Sequence, residues 1–170
     1  IDPGKGTEKR INVLLAQGLA KYHKVPVGAQ TTLKRCWEAS ARMMLKWRNG
    51  SDRIHDPELQ AFAAEDVSRQ EHQMDWFNKR LGMVSVPKPK GLDLLKALAN
   101  GPVLINTMDR TSGHAGVVTG YDHIRGYYKV NNPAGFMVVD FGDSSKDGAQ
   151  GAALDVVMWQ IEKALGDYLW

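Results

Sequence analysis

The chain has 170 residues, a formal charge of +3 and a single cysteine. That length suits one domain with a real core. Scattered basic residues argue against nucleic-acid binding, one cysteine excludes an intrachain disulfide framework or a multi-cysteine zinc site, and no apolar run reaches the length of a membrane span.

The chain opens at Ile1 without an initiator methionine or a signal-peptide pattern, and Asp2-Pro3-Gly4-Lys5-Gly6 reads as loop. That start is expected of a piece of a longer polypeptide. From Glu8 to Tyr22, Ile11, Leu14, Leu15, Gly18, Leu19 and Tyr22 follow the helical template and predict an amphipathic helix. Residues 1–24 are therefore expected to be a linker or lead-in helix, ahead of a main domain at 25–170. Val25-Pro26-Val27-Gly28 is extended and leads into Gln30.

The central stretch runs from Gln30 to Arg48 and holds the lone cysteine, Cys36. Trp37, Ala41, Met44, Leu45 and Arg48 share one helical face, Met43 and Trp47 add a second apolar face, and Asn49-Gly50 is a suitable stop. A helix greasy on two sides is surrounded by protein. Cys36 is then expected at its first turn, where unpaired N–H groups favour a thiolate. The helix dipole supplies only about 0.3–1 kcal/mol, against about 1.36 kcal/mol for one pKa unit. A catalytic thiolate therefore also needs a cationic partner, normally histidine. Taken alone, a lone cysteine is more often a small core residue.

Asp56-Pro57-Glu58 predicts a helix start, and Val67 to Leu81 a further helix that stops at Gly82. Asn49-Gly50-Ser51 matches a glycosylation acceptor but reads as the turn after the central helix. Val84 to Val86 is a short strand and Gly91 to Asn100 a short helix. The second half changes character: Pro102 to Asn106, His114 to Tyr121, Tyr127 to Val130 and Phe136 to Phe141 are short, rich in β-branched and aromatic residues, and separated by glycine-containing turns. An antiparallel sheet following a helical half is the α+β pattern. In the tail, Val157, Ile161, Leu165 and Leu169 lie at helical spacing, which predicts a helix from Leu154 to Trp170.

Of the five histidines, His23, His55, His72 and His123 lie in polar surroundings, whereas His114 opens an apolar strand. Taken alone, it is more readily a strand-end histidine satisfied by a neighbouring carbonyl. A catalytic imidazole also wants a third group to hold its tautomer. Asp122 lies eight residues along the same strand, roughly 26 Å away at about 3.3 Å per residue, and cannot reach. The next strand returns to end in Asn131-Asn132-Pro133, beside His114. These two asparagines point to opposite faces, so at most one can serve; both also suit an ordinary turn.

Gln30 six residues before Cys36, Trp37 directly after it, His114 opening a strand and Asn132 ending the next: this order resembles the papain-like cysteine proteases. The short Cys36–His114 separation, with His-Ala-Gly-Val-Val-Thr-Gly-Tyr and then Asn-Pro, is most similar to their compact bacterial branch, which includes avirulence effectors of plant pathogens. The resemblance spans Val25 to Gly135, and four ordered motifs make it fairly specific. It implies a papain-like α+β fold, with the nucleophile on a central helix of the N-terminal half and the sheet in the C-terminal half. It also implies Cys36 as nucleophile, His114 as general base and acid, Asn132 as orienter, and Gln30 as an oxyanion donor beside the Cys36 N–H.

Two departures stand out. Lys34-Arg35 occupy positions where long-form papains carry small residues, and Asn132 stands where many compact members have Asp. The implied chemistry is acyl transfer with no metal or cofactor, on a protein or peptide substrate, with a cognate inhibitor or immunity protein as a second kind of partner. The implied setting is secretion or injection into a target cell, as an effector or toxin. The same machinery would serve an amidase, deamidase or transglutaminase, and a catalytically silent binding domain could keep the cleft alone.

Overall fold

A computed structural model describes residues 3–30, 35–50, 77–79, 82–108, 113–134 and 151–170. In chain order the elements are α1 (Pro3–Gln17), β1 (Ala20–Tyr22), α2 (Cys36–Asn49), β2 (Val86–Pro87), α3 (Gly91–Ala97), β3 (Val103–Met108), β4 (Gly113–Asp122), β5 (Tyr127–Asn132), β6 (Ala152–Val157), α4 (Met158–Ala164) and β7 (Leu165–Leu169). The architecture is α+β, as expected.

The strands form one seven-stranded sheet in the order β2-β7-β3-β4-β5-β6, with β1 also paired to β4. Every pairing is antiparallel. β3 covers the first half of β4, from Gly113 to Val118, and β1 pairs with its last residues, Gly120 to Asp122. That second junction depends on Gly120, because a Cβ there would run into the Lys21 carbonyl and Tyr22. Glycine in a strand interior often marks such a close backbone approach.

His114 to Tyr121 are all buried, as expected of a strand covered on both faces. Alternation along β3 shows what covers it. Val103 and Ile105 join a core with Leu14 of α1, Leu94 and Leu95 of α3, and Ile161 of α4. Leu104, between them, joins a second core with Cys36, Trp37, Ala41, Ala115 and Trp170. The sheet thus carries α2 on one face and α1, α3 and α4 on the other, and the central helix holds the cysteine against the middle strands.

The short strand expected at Val84–Val86 runs from Val86 to Pro87, and two larger changes occur. The first helix starts at Pro3 and ends at Gln17 instead of running from Glu8 to Tyr22. Gly18 takes φ +94°, the left-handed region that stops a helix, and residues 20–22 are drawn into the sheet by β4. The tail from Leu154 to Trp170 is strand, helix and strand, where one helix was expected. β6 pairs along all of β5, while β7 pairs with β3, and Trp170 exchanges two backbone hydrogen bonds with Leu104 at 2.7 and 2.9 Å. Sheet pairing has overridden a helical spacing. The expected helices after Asp56 and from Val67, and the strand Phe136–Phe141, lie outside the described residues apart from a helical piece at 77–79. Among the described residues, no helix is long and apolar enough to cross a membrane.

Candidate active site

α2 begins without a conventional cap. Arg35 holds the N-cap position at φ −111° and ψ 22°, and its side chain makes no capping hydrogen bond. Serine or aspartate there would accept from the N–H groups of the first turn. The N–H of Ala115, in β4, reaches Cys36 Sγ at 3.4 Å, and the N–H groups of Trp37 and Cys36 favour negative charge on the sulfur. The cysteine expected at a helix start is therefore at one, and its sulfur lies against the residue that follows His114.

His114 is 2% exposed. Its Nε2 lies 2.8 Å from Asn132 Oδ1. The same oxygen accepts the Ala134 N–H at 2.9 Å, which fixes which end of the amide is the acceptor. With an acceptor opposite it, Nε2 must carry the proton, and in a neutral ring Nδ1 is then the basic nitrogen. The choice between the asparagines is equally clear. Asn131 turns away and donates from Nδ2 to the Val25 carbonyl at 3.0 Å.

The Val25 contact bears on Gln30. Asn131 ties the start of the incoming segment to the end of β5, and the Gln30 N–H closes the other end on the Pro133 carbonyl at 3.0 Å. Gln30 is 4% exposed, yet neither amide atom of its side chain has a hydrogen-bond partner among the described residues. A buried amide without partners costs roughly 1–3 kcal/mol, and such groups are kept where they serve a purpose.

Desolvation dominates the electrostatics. Burial pushes the Cys36 thiol up, opposed by the N–H groups of Ala115, Trp37 and Cys36 itself. Burial also pushes the His114 imidazole down, opposed by its bond to Asn132. Both directions favour a neutral pair at rest, whereas the sequence argument asked for a cationic neighbour.

Glu38 is the site residue that sequence reasoning missed. It is buried two residues after Cys36, and both carboxylate oxygens are taken by arginine. Arg35 Nη1 donates to Oε2 at 3.0 Å, and Arg42 Nε and Nη2 donate to Oε1 at 2.9 and 2.6 Å. Arginines three residues before and four after a glutamate on one helix were the available signal.

The other histidines sit elsewhere. His23 bonds the Leu98 carbonyl at 2.9 Å, His123 lies at the β4–β5 turn, and His55 and His72 lie outside the described residues. An open pocket of about 680 Å³ lies at the far end of α2, lined by Met44, Trp47, Met83, Val86 and Trp170 among others. Met44 is about 12 Å along the helix from Cys36 at 1.5 Å per residue, so this pocket is not where the chemistry would occur. Among the described residues, no group of three or more His, Cys, Asp or Glu side chains could hold a metal ion.

Comparison with known proteins bears on the fold and the family. No curated protein matches the chain. A crystal structure of a double glycine motif protease from an AMS/PCAT transporter, in complex with the leader peptide, shares the fold at a TM-score of 0.57 and 18% identity, covering 87% of this chain and 90% of that one. The family model for the papain-like cysteine protease AvrRpt2 matches residues 19–140, a span that contains Gln30, Cys36, His114 and Asn132. The chain belongs to that family of papain-like cysteine proteases.

Proposed function

We propose that the chain hydrolyses peptide bonds in protein substrates through Cys36, His114 and Asn132, with Gln30 as an oxyanion donor. The observation that carries this reading is the His114 Nε2 to Asn132 Oδ1 bond at 2.8 Å, on a strand whose next N–H meets Cys36 Sγ at 3.4 Å. In the first step the Cys36 proton passes to His114 Nδ1 as sulfur bonds the scissile carbonyl carbon. Negative charge moves onto the carbonyl oxygen, where the Gln30 amide and the Cys36 N–H donate to it. The C–N bond then breaks, and the amine leaves with the proton from His114. Water, deprotonated by the same imidazole, attacks the thioester, and the acid leaves as Cys36 regains its proton.

Asn132 keeps the ring oriented through both proton transfers. A neutral resting pair suits this scheme, because the sulfur loses its proton as it attacks. A peptide substrate is supported by the solved structure of similar fold, a protease described with a leader peptide bound. Action as a delivered effector or toxin is supported by the resemblance to avirulence proteases. The test is peptide profiling of a cell lysate treated with the wild type and with Cys36→Ala. New peptide termini specific to the wild type are expected; termini unchanged while glutamines become glutamates would favour deamidation instead.

A further inference from the structure

The first turn of α2 has to hold a donor in place without a cap. On the reading of Cys36 as nucleophile, its N–H donates to the oxyanion, while the sulfur is met from β4 by the Ala115 N–H at 3.4 Å. A conventional cap at position 35 would fix this turn by bonding the N–H of Trp37 or Glu38. Arg35 makes no capping bond, so the helix start is held in another way.

Glu38 stands at the third helical position. There a glutamate commonly reaches back to the N-cap N–H and completes a capping box. Here both of its oxygens go to guanidinium groups instead. The Glu38 side chain is 8% exposed, against 33% for Arg35 and 28% for Arg42, so a buried carboxylate is held by two half-buried cations. Arg42 anchors that carboxylate one turn further along the helix. Arg35 then fastens to it the residue whose peptide group supplies the Cys36 N–H.

We infer that the Arg35–Glu38–Arg42 clasp positions the oxyanion donor: Glu38 and Arg35 are positioning residues that hold the peptide bond before Cys36 in place of a helix cap. This inference rests on the catalytic reading above. A displaced donor weakens the transition state but not the attack of sulfur on a carbon that develops no oxyanion, and this difference provides the test.

Three quantities are compared between the wild type and Arg35→Gln, which leaves the Glu38–Arg42 pair in place: kcat on a peptide substrate (with KM alongside), affinity for a peptide aldehyde whose adduct places an oxyanion in the site, and the rate of Cys36 alkylation by iodoacetamide. In Arg35→Gln, kcat is expected to fall about 10- to 100-fold with KM unchanged, as for a small misplacement of a catalytic group. Aldehyde affinity should fall in parallel while alkylation is preserved, and Arg35→Lys should restore part of the loss by keeping the charge. Glu38→Gln should show the same split, and circular dichroism checks the fold of each variant. Wild-type kcat and aldehyde affinity in Arg35→Gln would overturn the inference, as would a uniform fall of all three quantities. A wild type that neither binds aldehyde nor alkylates at Cys36 would overturn the catalytic reading itself.

Discussion

Asn132 and Asn131 are neighbours of the same type with unlike roles. Asn132 is fully buried and holds His114 and the Ala134 N–H through one oxygen, whereas Asn131 ties down the Val25 carbonyl. Asn132→Ala should therefore lower turnover, by less than His114→Ala, and Asn132→Asp should restore part of it. Asn131→Ala should instead cost stability, about 0.5–1.5 kcal/mol for one hydrogen bond, with a smaller effect on turnover. Gln30→Ala removes one of two proposed oxyanion donors and should lower turnover by roughly 10²–10³. Peptide assays beside urea titrations of each variant check this set; a crippled Asn131→Ala with an unaffected Asn132→Ala would contradict the assignment.

His114 also makes a pH prediction. Its imidazole is held below the ordinary 6.5 by burial, so the folded state disfavours the proton that the unfolded chain accepts. The stability this group contributes is present above 6.5 and is lost as pH falls through the lower folded value. Urea midpoints measured from neutral pH downward should fall more steeply for the wild type than for His114→Gln. Parallel curves would contradict this.

Among the elements, β4 is the one on which the site depends, and Gly120 is its narrowest point. Gly120→Ala should press on the Lys21 backbone, costing about 1–3 kcal/mol as overpacking does, and should loosen β1 before the rest of the sheet. Hydrogen exchange faster at Tyr22 and His23 than at β3 would show this; unchanged protection there would contradict it. β4 and β5 were legible because β-branched and aromatic residues run between glycine turns, and the central helix because Trp37, Ala41, Met44 and Leu45 repeat at helical spacing. The tail was not legible. Its spacing suited a helix, and only β5 and β3, distant in sequence, decide that its two ends are strands. Much of the site was readable because His114 and the asparagine pair mark ends of adjacent strands, which antiparallel pairing brings together. Glu38 escaped notice because a charged residue on a helix normally faces water, and its burial follows from two arginines that read as surface charge.

At the scale of the whole molecule, the lead-in helix is bound to the sheet. Leu14 is 3% exposed within the main core, and Arg10 reaches Glu162 of α4 at 2.9 Å. Leu14→Ala should destabilise the whole chain by about 2–5 kcal/mol, the usual cost of emptying a buried leucine site. A single cooperative urea transition at lower midpoint is expected, and an unchanged midpoint would show that α1 is only an appendage.

The layered arrangement sets α2 on one face of the sheet, with Cys36 against β4 and the start of β4 and the end of β5 supplying His114 and Asn132. Intact-mass analysis after treatment with an epoxide of the E-64 type tests most directly whether these residues act together. One adduct per chain is expected, mapped to Cys36 and strongly slowed in His114→Ala. No adduct on the wild type, or equal labelling of the two proteins, would contradict the proposed triad.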